Sequence, residues 1–284
     1  MAKKSVWLRK SVRLLISLIM LFCIGKIYNL DLLAPAASDK KPITIAHRGL
    51  SAQAPENTLS AIRLALEAQV DMIEFDLHMS RDQIPVVIHD PTLERTTDGT
   101  GPVKEMSLFE LRKLDAGAWF GDAYLGERIP TLTEVMAMVQ GKTKLLIELK
   151  WDDDGKVYPG LVDSVLAEIK RFQAEDWCVI QSFDAGMIRD VKAKVPALEA
   201  QKLIFYDLPI LPGHIDRQWQ WTDGSAFDEG VSAINVWLRG LSPRLVNRIH
   251  ADGKKVYVYT VNDPADLAYC QKLGVDGVIT DGQP

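Results

Sequence analysis

The sequence predicts an α/β protein built as a closed (β/α)8 barrel. From residue 43 onward, short apolar runs alternate with longer segments that carry a helical pattern, which favours parallel strands covered by helices. About eight such repeats occupy roughly 240 residues, which suits a closed barrel better than an open sheet. No Gly-x-Gly-x-x-Gly turn follows the first candidate strand, so the main sign of a dinucleotide-binding fold is missing.

The candidate elements follow from periodicity and from turn-forming residues at their ends. The candidate strands are residues 43–46, 72–77, 85–89, 144–150, 178–182, 202–206, 233–237, 256–261 and 277–280. The candidate helices are residues 58–69, 107–115, 131–138, 159–172, 184–194, 242–251 and 264–273. Residues 91–129 contain only one of these helical patterns, and we expect this stretch to form a small insertion on the barrel rim.

The first 38 residues differ in kind from the rest of the chain. Basic residues precede an apolar run at 14–25, as in an export signal. The run is shorter than the ~20 residues of a comfortable transmembrane helix, but residues 27–33 extend its apolar character. Both an uncleaved membrane anchor and a signal peptide cleaved near Ala34-Pro35-Ala36 therefore stay open. Residues 39–284 would form the barrel domain on the periplasmic or extracellular side, either anchored or released.

Charge is distributed unevenly along the chain. Residues 1–30 hold six Lys and Arg and no acid, which leaves 27 basic and 38 acidic residues in 31–284, a net charge of −11. An acidic body gains nothing from long-range attraction to a polyanion, so we expect no nucleic-acid partner. The oligomeric state cannot be deduced from the sequence. Cys178 and Cys270 lie in apolar and helical patterns, and we interpret them as buried, unpaired thiols rather than a disulfide.

Acidic residues stand in two otherwise apolar candidate strands. Glu74 and Asp76 are two residues apart, so their side chains point to one face of a strand. Glu148 and Lys150 share a face in the same way, although a structural ion pair explains that pair equally well. Buried carboxylates are costly unless a cation or a partner neutralises them. Three carboxylates at the carboxyl ends of barrel strands would suit one Ca²⁺ or Mg²⁺, because both ions prefer oxygen ligands.

Two histidines end candidate strands at the same predicted rim. His47 ends the first strand and His89 the third, and such a pair suits phosphodiester cleavage, in which one group accepts a proton and the other donates one. Arg48 offers a planar fork of donors for a phosphate, and Lys150 a point charge. The other three histidines are assigned structural roles, because they lie beyond the rim, in a loop and on a helix: His78, His214 and His250.

A series of short motifs, in fixed order along residues 43–281, resembles the glycerophosphodiester phosphodiesterase family. The motifs are His-Arg-Gly at 47–49, Pro-Glu-Asn-Thr at 55–58, Glu-Phe-Asp at 74–76, Pro-Val-Val-Ile-His-Asp at 85–90, Pro-Thr-Leu at 130–132, Ile-Glu-Leu-Lys at 147–150, Gln-Ser-Phe at 181–183, Tyr-Thr-Val-Asn at 259–262 and Gly-Val-Asp-Gly at 274–277. The chain departs from the pattern at Tyr259, where the family commonly has Trp. We expect this difference to alter packing rather than function.

The resemblance implies a TIM barrel with a rim insertion and a complete site. It implies that His47 and His89 are the acid/base pair and that Glu74, Asp76 and Glu148 bind the metal. The residues expected to contact or lie near the substrate are Arg48, Lys150, Glu56, Asn57, Phe183 and Trp237. The reaction would be metal-dependent hydrolysis of a glycerophosphodiester to sn-glycerol 3-phosphate and an alcohol.

Two alternatives concern the substrate. An anchored or exported enzyme would meet soluble glycerophosphodiesters, but it would also face lysophospholipids in the bilayer, as a lysophospholipase D does. Several aromatic residues can either line an apolar rim for an acyl chain or simply fill core and rim: Trp119, Phe120, Trp219, Trp221 and Trp237. A sphingomyelinase D-like hydrolase on the same scaffold is the other alternative. A membrane-tethered binding protein without activity would be expected to lack a histidine or acid of the set, and none is missing.

Overall fold

The strands of the barrel and their order are seen in a computed structural model, which describes residues 41–207, 213–216, 220–223 and 226–282. The strands are β1 (Ile43–Ala46), β2 (Met72–Met79), β3 (Pro85–Val87), β4 (Lys144–Leu149), β5 (Cys178–Ser182), β6 (Glu199–Ile204), β7 (Tyr206–Asp207), β8 (Gly213–Asp216), β9 (Gln220–Asp223), β10 (Ala233–Trp237), β11 (Lys255–Tyr259) and β12 (Gly277–Thr280). The predicted N-terminal signal or anchor, residues 1–38, lies outside the described residues.

Eight parallel strands close into a barrel in the order β1-β2-β4-β5-β6-β10-β11-β12. The first strand closes the ring, because Ile43 pairs with Gly277 of β12 and Ile45 pairs with Met72 of β2. The prediction of a (β/α)8 barrel is confirmed. The described part of the chain contains no helix long and apolar enough to cross a membrane.

Most of the helices cover the outside of the barrel, and most begin after a residue whose side chain caps the first turn. They are α1 (Leu59–Glu67), α2 (Leu108–Leu111), α3 (Leu132–Val139), α4 (Leu161–Arg171), α5 (Ala185–Lys194), α6 (Pro243–Ala251) and α7 (Pro264–Lys272). The side chain of Thr58 accepts a hydrogen bond from the Ala61 amide at the start of α1, and Thr131 forms a capping box with Glu134 at the start of α3. Such caps satisfy amides that have no partner inside the helix.

The interior of the barrel changes from apolar to polar along the strands. An apolar layer consists of Ile45, Met72, Leu146, Val179, Ala233, Tyr257 and Ile279. Residues two positions further along a strand point the same way, and on four of these strands they are the buried polar residues Glu74, Glu148, Gln181 and Asn235. The strands thus carry a polar layer directly above an apolar floor, at their carboxyl ends.

The candidate strand at 85–89 is not a barrel strand. β3 pairs antiparallel with the end of β2, with Leu77 opposite Val87 and Met79 opposite Pro85. An apolar run predicts a strand but not the direction of its partner, so the sequence does not reveal this hairpin. The chain then returns to the barrel, where the Ile88 amide donates to the Asp76 carbonyl oxygen at 3.1 Å. His89 therefore reaches the rim through the hairpin, not at the end of a parallel strand.

Residues 91–129 have a small apolar core of their own. Its members include Leu93, Val103, Leu111 and Ala116, which pack against Val86 of β3. The helix predicted at 107–115 is shorter in the structure, where α2 covers only Leu108–Leu111. This separate core holds the insertion on the rim beside β3.

A second small sheet was not anticipated. Strands β7, β8 and β9 form an antiparallel sheet of their own, in a region whose polar residues carry no clear alternation. His214, expected in a loop, lies in β8 and is buried. The candidate strand 202–206 accordingly divides into β6, which ends at Ile204, and β7.

Candidate active site

Three acidic side chains meet inside the carboxyl end of the barrel. Asp76 on β2 and Glu148 on β4 are direct partners in the parallel register, and Glu74 precedes Asp76 on the same face. Their ligand oxygens all lie within 4.8 Å of one another, and all three residues are buried. The structure therefore brings together the three residues predicted to bind metal.

The carboxylate oxygens are suited to a divalent cation. Asp76 Oδ1 and Glu148 Oε1 are buried, and each lies beside the ammonium of Lys150, at 3.0 Å and 2.5 Å respectively. A buried set of carboxylate oxygens beside a single ammonium is the donor chemistry that Ca²⁺ and Mg²⁺ prefer, so these residues fit such an ion.

Burial and crowded negative charge alter the pKa values of these carboxyl groups. Burial raises the pKa of Glu74 well above its usual value, and the neighbouring Asp76 raises it further. Burial raises the pKa of Glu148 to about 7, although Lys150 opposes the change. Burial would also raise the pKa of Asp76, but Lys150 and His89 hold it well below its usual value. A site that carries extra protons in this way releases them when it binds a cation.

Hydrogen bonds fix the orientation of these acids. The Asn57 amide donates to Asp76 Oδ2 at 2.8 Å, and Asn57 Oδ1 accepts from the Asp76 backbone amide at 3.2 Å. The Arg48 backbone amide donates to Glu74 Oε2 at 2.9 Å, and Gln181 Nε2 donates to Glu74 Oε1 at 3.2 Å. Asn57 is thus a partner of Asp76, one of the residues predicted to bind the metal, and it lies near the site as expected.

Arg48 combines an unusual backbone with two acidic neighbours. Its φ is 55° and that of Gly49 is 77°, and a Cβ at Gly49 would lie 2.6 Å from the Ala61 carbonyl carbon, so only glycine fits there. Arg48 Nη1 donates to Glu56 Oε1 at 2.7 Å, and its Nε lies 3.5 Å from Asp76 Oδ2. Glu56 therefore holds the guanidinium of Arg48 over the acidic group.

His47 is paired with an aspartate at the other end of the chain. Its Nδ1 lies 2.5 Å from Asp281 Oδ1. Burial would raise the pKa of Asp281, but the bond from His47 lowers it below its usual value, so the carboxylate accepts the Nδ1 proton. This pairing leaves Nε2 of His47 for chemistry in the cleft. Asp281 directly follows β12, so its position at a strand end, the feature that selected His47, was available in the sequence.

His89 has a similar partner next to it in the sequence. Its Nδ1 donates to Asp90 Oδ1 at 2.6 Å. Burial lowers the pKa of His89, and Lys150 lowers it further, which favours a neutral imidazole. His78 supports the same turn, because its Nε2 donates to the His89 carbonyl oxygen at 2.9 Å, while the Tyr158 hydroxyl donates to His78 Nδ1 at 2.8 Å.

The predicted site residues surround one cleft of about 260 Å³. Nine of the eleven line it: His47, Arg48, Glu74, Asp76, His89, Glu148, Lys150, Phe183 and Trp237. Glu56 and Asn57 are not among the lining residues and lie behind Arg48 and Asp76. His250, assigned a structural role from the sequence, lies on α6 and pairs with Asp276 at 2.9 Å.

One side of the cleft is aromatic. Phe183 stacks on Phe205 with 5.1 Å between ring centroids, and it meets Tyr259 edge to face at 6.2 Å. Trp237 packs edge to face against Phe205 at 5.8 Å. Phe205 and Tyr259 had no predicted role, because an aromatic residue at a strand end is more often a packing residue. The cleft therefore has a charged half and an apolar half.

A barrel that gathers acids, histidines, an arginine and a lysine at the carboxyl ends of its strands has the form of a TIM-barrel enzyme. The chain belongs to the glycerophosphoryl diester phosphodiesterase family, whose model matches residues 47–282. It is therefore a phosphoric diester hydrolase, as the sequence motifs indicated.

Relatives support this assignment over most of the chain. A glycerophosphodiester phosphodiesterase of Caldanaerobacter subterraneus is 36% identical over 241 residues, which cover 85% of this chain and 94% of that relative. A Bacillus subtilis glycerophosphodiester phosphodiesterase is 30% identical over 259 residues, which cover 86% and 84%. Among solved structures, an Oleispira antarctica phosphodiesterase in complex with the product sn-glycerol-3-phosphate has a TM-score of 0.73 and 31% identity, covering 87% and 96%.

Proposed function

We propose that this protein hydrolyses glycerophosphodiesters to sn-glycerol 3-phosphate and a free alcohol. The observation that carries the proposal is the meeting, at one cleft, of a buried carboxylate triad with two histidines. The related Oleispira antarctica enzyme was solved with sn-glycerol-3-phosphate as its product. This likeness supports the same product here.

The charged half of the cleft would bind the phosphate. Arg48 presents a guanidinium held by Glu56, and Lys150 presents an ammonium beside Glu148. Planar and point donors of this kind suit phosphate oxygens. When bound by Glu74, Asp76 and Glu148, one Ca²⁺ or Mg²⁺ supplies Lewis-acid stabilisation of the phosphate charge.

The two histidines would move the protons of the reaction. One of His47 and His89 accepts the proton of the attacking water while the oxygen–phosphorus bond forms. The other donates a proton to the alcohol oxygen as its bond to phosphorus breaks. The histidine that acts as the base enters with Nε2 unprotonated, and the one that acts as the acid enters with a proton on Nε2. In each histidine an aspartate accepts the Nδ1 proton, which leaves Nε2 for the exchange. If the neighbouring glycerol hydroxyl attacks first, the same pair acts twice through a cyclic phosphate.

The test is a product assay with matched variants. The purified protein is incubated with glycerophosphocholine, and sn-glycerol 3-phosphate and choline are measured. We expect both products in equal amounts, and loss of turnover by a factor of at least ~10² in His47→Ala or His89→Ala. His250→Ala is the matched control, since that histidine lies on α6 and pairs with Asp276. Turnover at the wild-type rate in either cleft variant would contradict the proposal.

A lysophospholipid is the second candidate substrate. The aromatic half of the cleft, with Phe183, Phe205 and Trp237, offers an apolar surface next to the phosphate site. We propose that Phe183 and Trp237 contact the substrate there. Comparing lysophosphatidylcholine with glycerophosphocholine tests this point. If the aromatic half binds the acyl chain, the KM for the lipid should be lower than the KM for glycerophosphocholine, and Trp237→Ala should weaken this preference by raising the KM for the lipid.

We also propose that the protein is exported and either anchored by residues 1–38 or released by signal cleavage. The support is the basic start and apolar run of that segment. Fractionation of cells followed by N-terminal sequencing distinguishes the outcomes. A cytoplasmic, full-length protein would contradict the proposal.

A further inference from the structure

Arg95 lies in the rim insertion, and two series of hydrogen bonds begin at its guanidinium: one runs through Glu56 and the other through Asp90. It follows the buried Leu93 and precedes Thr96, which is also buried. The Leu93 amide donates to the Gly101 carbonyl oxygen at 3.1 Å, and the Thr97 amide donates to the Leu93 carbonyl oxygen at 3.1 Å. The backbone at Arg95 is therefore fixed on both sides, although its side chain is partly exposed and does not line the cleft.

The guanidinium of Arg95 contacts two carboxylates, each at two points. Its Nη1 and Nη2 donate to the two oxygens of Glu56, both at 2.8 Å. Its Nε donates to Asp90 Oδ2 at 2.6 Å and its Nη2 to Asp90 Oδ1 at 3.0 Å. Two-point contacts of this kind fix orientation as well as distance, which a lysine ammonium cannot do.

Each carboxylate continues to a residue of the cleft. Glu56 Oε1 accepts from Arg48 Nη1 at 2.7 Å, and Asp90 Oδ1 accepts from His89 Nδ1 at 2.6 Å. An isolated surface ion pair contributes little to stability, but Arg95 joins the proposed phosphate-binding arginine to one of the proposed proton-transfer histidines.

We propose that Arg95 is a positioning residue that fixes Arg48 through Glu56 and His89 through Asp90, so that the rim insertion completes the site. This inference rests on the proposed function. It gives the insertion a role in turnover, because Arg95 belongs to the insertion and hydrogen-bonds to both Glu56 and Asp90.

The two chains predict separable kinetic effects. Asp90→Asn breaks only the His89 chain, so it should lower kcat about tenfold or more with little change in KM. Glu56→Gln breaks only the Arg48 chain, so it should mainly raise KM. Arg95→Met should both lower kcat and raise KM, and Arg95→Lys should show the same losses. Adding Arg95→Met to Asp90→Asn should lower kcat no further, because both changes act on one chain.

Controls separate this role from a general loss of structure. Arg81→Met removes another arginine near the insertion, which pairs with Glu110 at 2.8 Å, and we expect kcat and KM to stay within about twofold of wild type. Free guanidinium should partly restore Arg95→Met but not Asp90→Asn. Thermal unfolding of each variant checks that the fold persists.

An NMR measurement tests the same arrangement without turnover. Imidazole ¹⁵N spectra should show an Nδ1–H tautomer for His89 in wild type and Arg81→Met, and a mixed tautomer in Arg95→Met. An unchanged His89 spectrum together with wild-type kcat and KM in Arg95→Met would overturn the inference. If the wild-type protein hydrolyses no glycerophosphodiester, the proposed function fails, and the spectra alone decide the role of Arg95.

Discussion

The ammonium of Lys150 lies 3.0 Å from the carboxylate of Asp76, within the group of acids that fits a divalent cation. Lys150 also contacts Glu148, so it compensates negative charge where the cation would bind. The carboxylates Asp76 and Glu148 and the Lys150 ammonium are largely buried. Removing one member of such a buried set leaves charge without compensation.

Lys150→Met should therefore destabilise the metal-free protein. We expect the free energy of unfolding to fall by about 2 kcal/mol at pH 8, less than the roughly 3–5 kcal/mol of a fully buried pair, because the carboxyl groups can take up protons. Denaturant unfolding in a chelating buffer measures this change. Lys144→Met is the matched control on the same strand, since Lys144 is exposed and its contact with Glu199 is 3.3 Å. Equal stability of the two variants would contradict the prediction.

Cation binding should stabilise the folded protein through the three acids. A divalent ion at about one hundred times its Kd adds roughly 2.7 kcal/mol to the free energy of unfolding. We expect Ca²⁺ or Mg²⁺ to raise the Tm of the wild-type protein and to have little effect on Glu148→Gln. Asp153→Asn is the control, because Asp153 lies in a separate acidic group near Lys104. A cation response that survives in Glu148→Gln but disappears in Asp153→Asn would place the ion elsewhere.

Asp281 should be needed for turnover more than for folding. Its carboxylate accepts the Nδ1 proton of His47 and so fixes the tautomer that leaves Nε2 available. Asp281→Asn should lower kcat by about 10² to 10⁴, as expected when a histidine loses its orienting carboxylate, with a smaller change in KM. Asp276→Asn is a matched control, because it alters a His–Asp contact at His250 on the outside of the barrel. Similar kcat losses in both variants would argue against a specific role for Asp281.

Protonation of His78 should lower the free energy of unfolding as the pH falls. Burial lowers the pKa of His78 to about 4 from its ordinary 6.5. Between these values the unfolded chain binds a proton that the folded chain excludes, so the free energy of unfolding decreases as the pH falls. The full change is about 3 kcal/mol, present above pH 6.5 and lost by about pH 4.

His78→Gln removes this titration. Metal-free unfolding at several pH values should show a steeper loss for the wild type than for His78→Gln between pH 6.5 and 4. The difference between the two proteins isolates the titration of His78, whose pKa already includes the effects of the nearby Asp76, His89 and Lys150. Parallel curves for the two proteins would contradict the prediction, because they would show that His78 takes up its proton as readily in the folded chain as in the unfolded chain.

The sequence predicted the parts of the site that follow from local geometry. Alternation along a strand placed Glu74 with Asp76 on one face, and strand ends selected His47 and His89. The position of Asp281 directly after a strand could have selected it as a rim residue, but not its pairing with His47, which lies 234 residues earlier in the chain. Packing determines such contacts, and a single sequence does not encode them in its periodicity.

The barrel strands could be predicted from the sequence, but the antiparallel elements could not. Barrel strands were recognisable because both of their faces are buried and mostly apolar, whereas the direction of β3 depends on its partner. The short sheet β7–β9 has no alternation strong enough to separate it from a loop. Glu56 and Asn57 were located near the site by motif, but only the structure shows that they hold Arg48 and Asp76.

The most direct test of the central claim is the identity and cation dependence of the products from glycerophosphocholine. The account predicts equal amounts of sn-glycerol 3-phosphate and choline, turnover that disappears after exhaustive chelation and returns with Ca²⁺ or Mg²⁺, and no such recovery in Glu148→Gln. Full turnover in the chelated protein, or release of phosphocholine and glycerol instead, would contradict it.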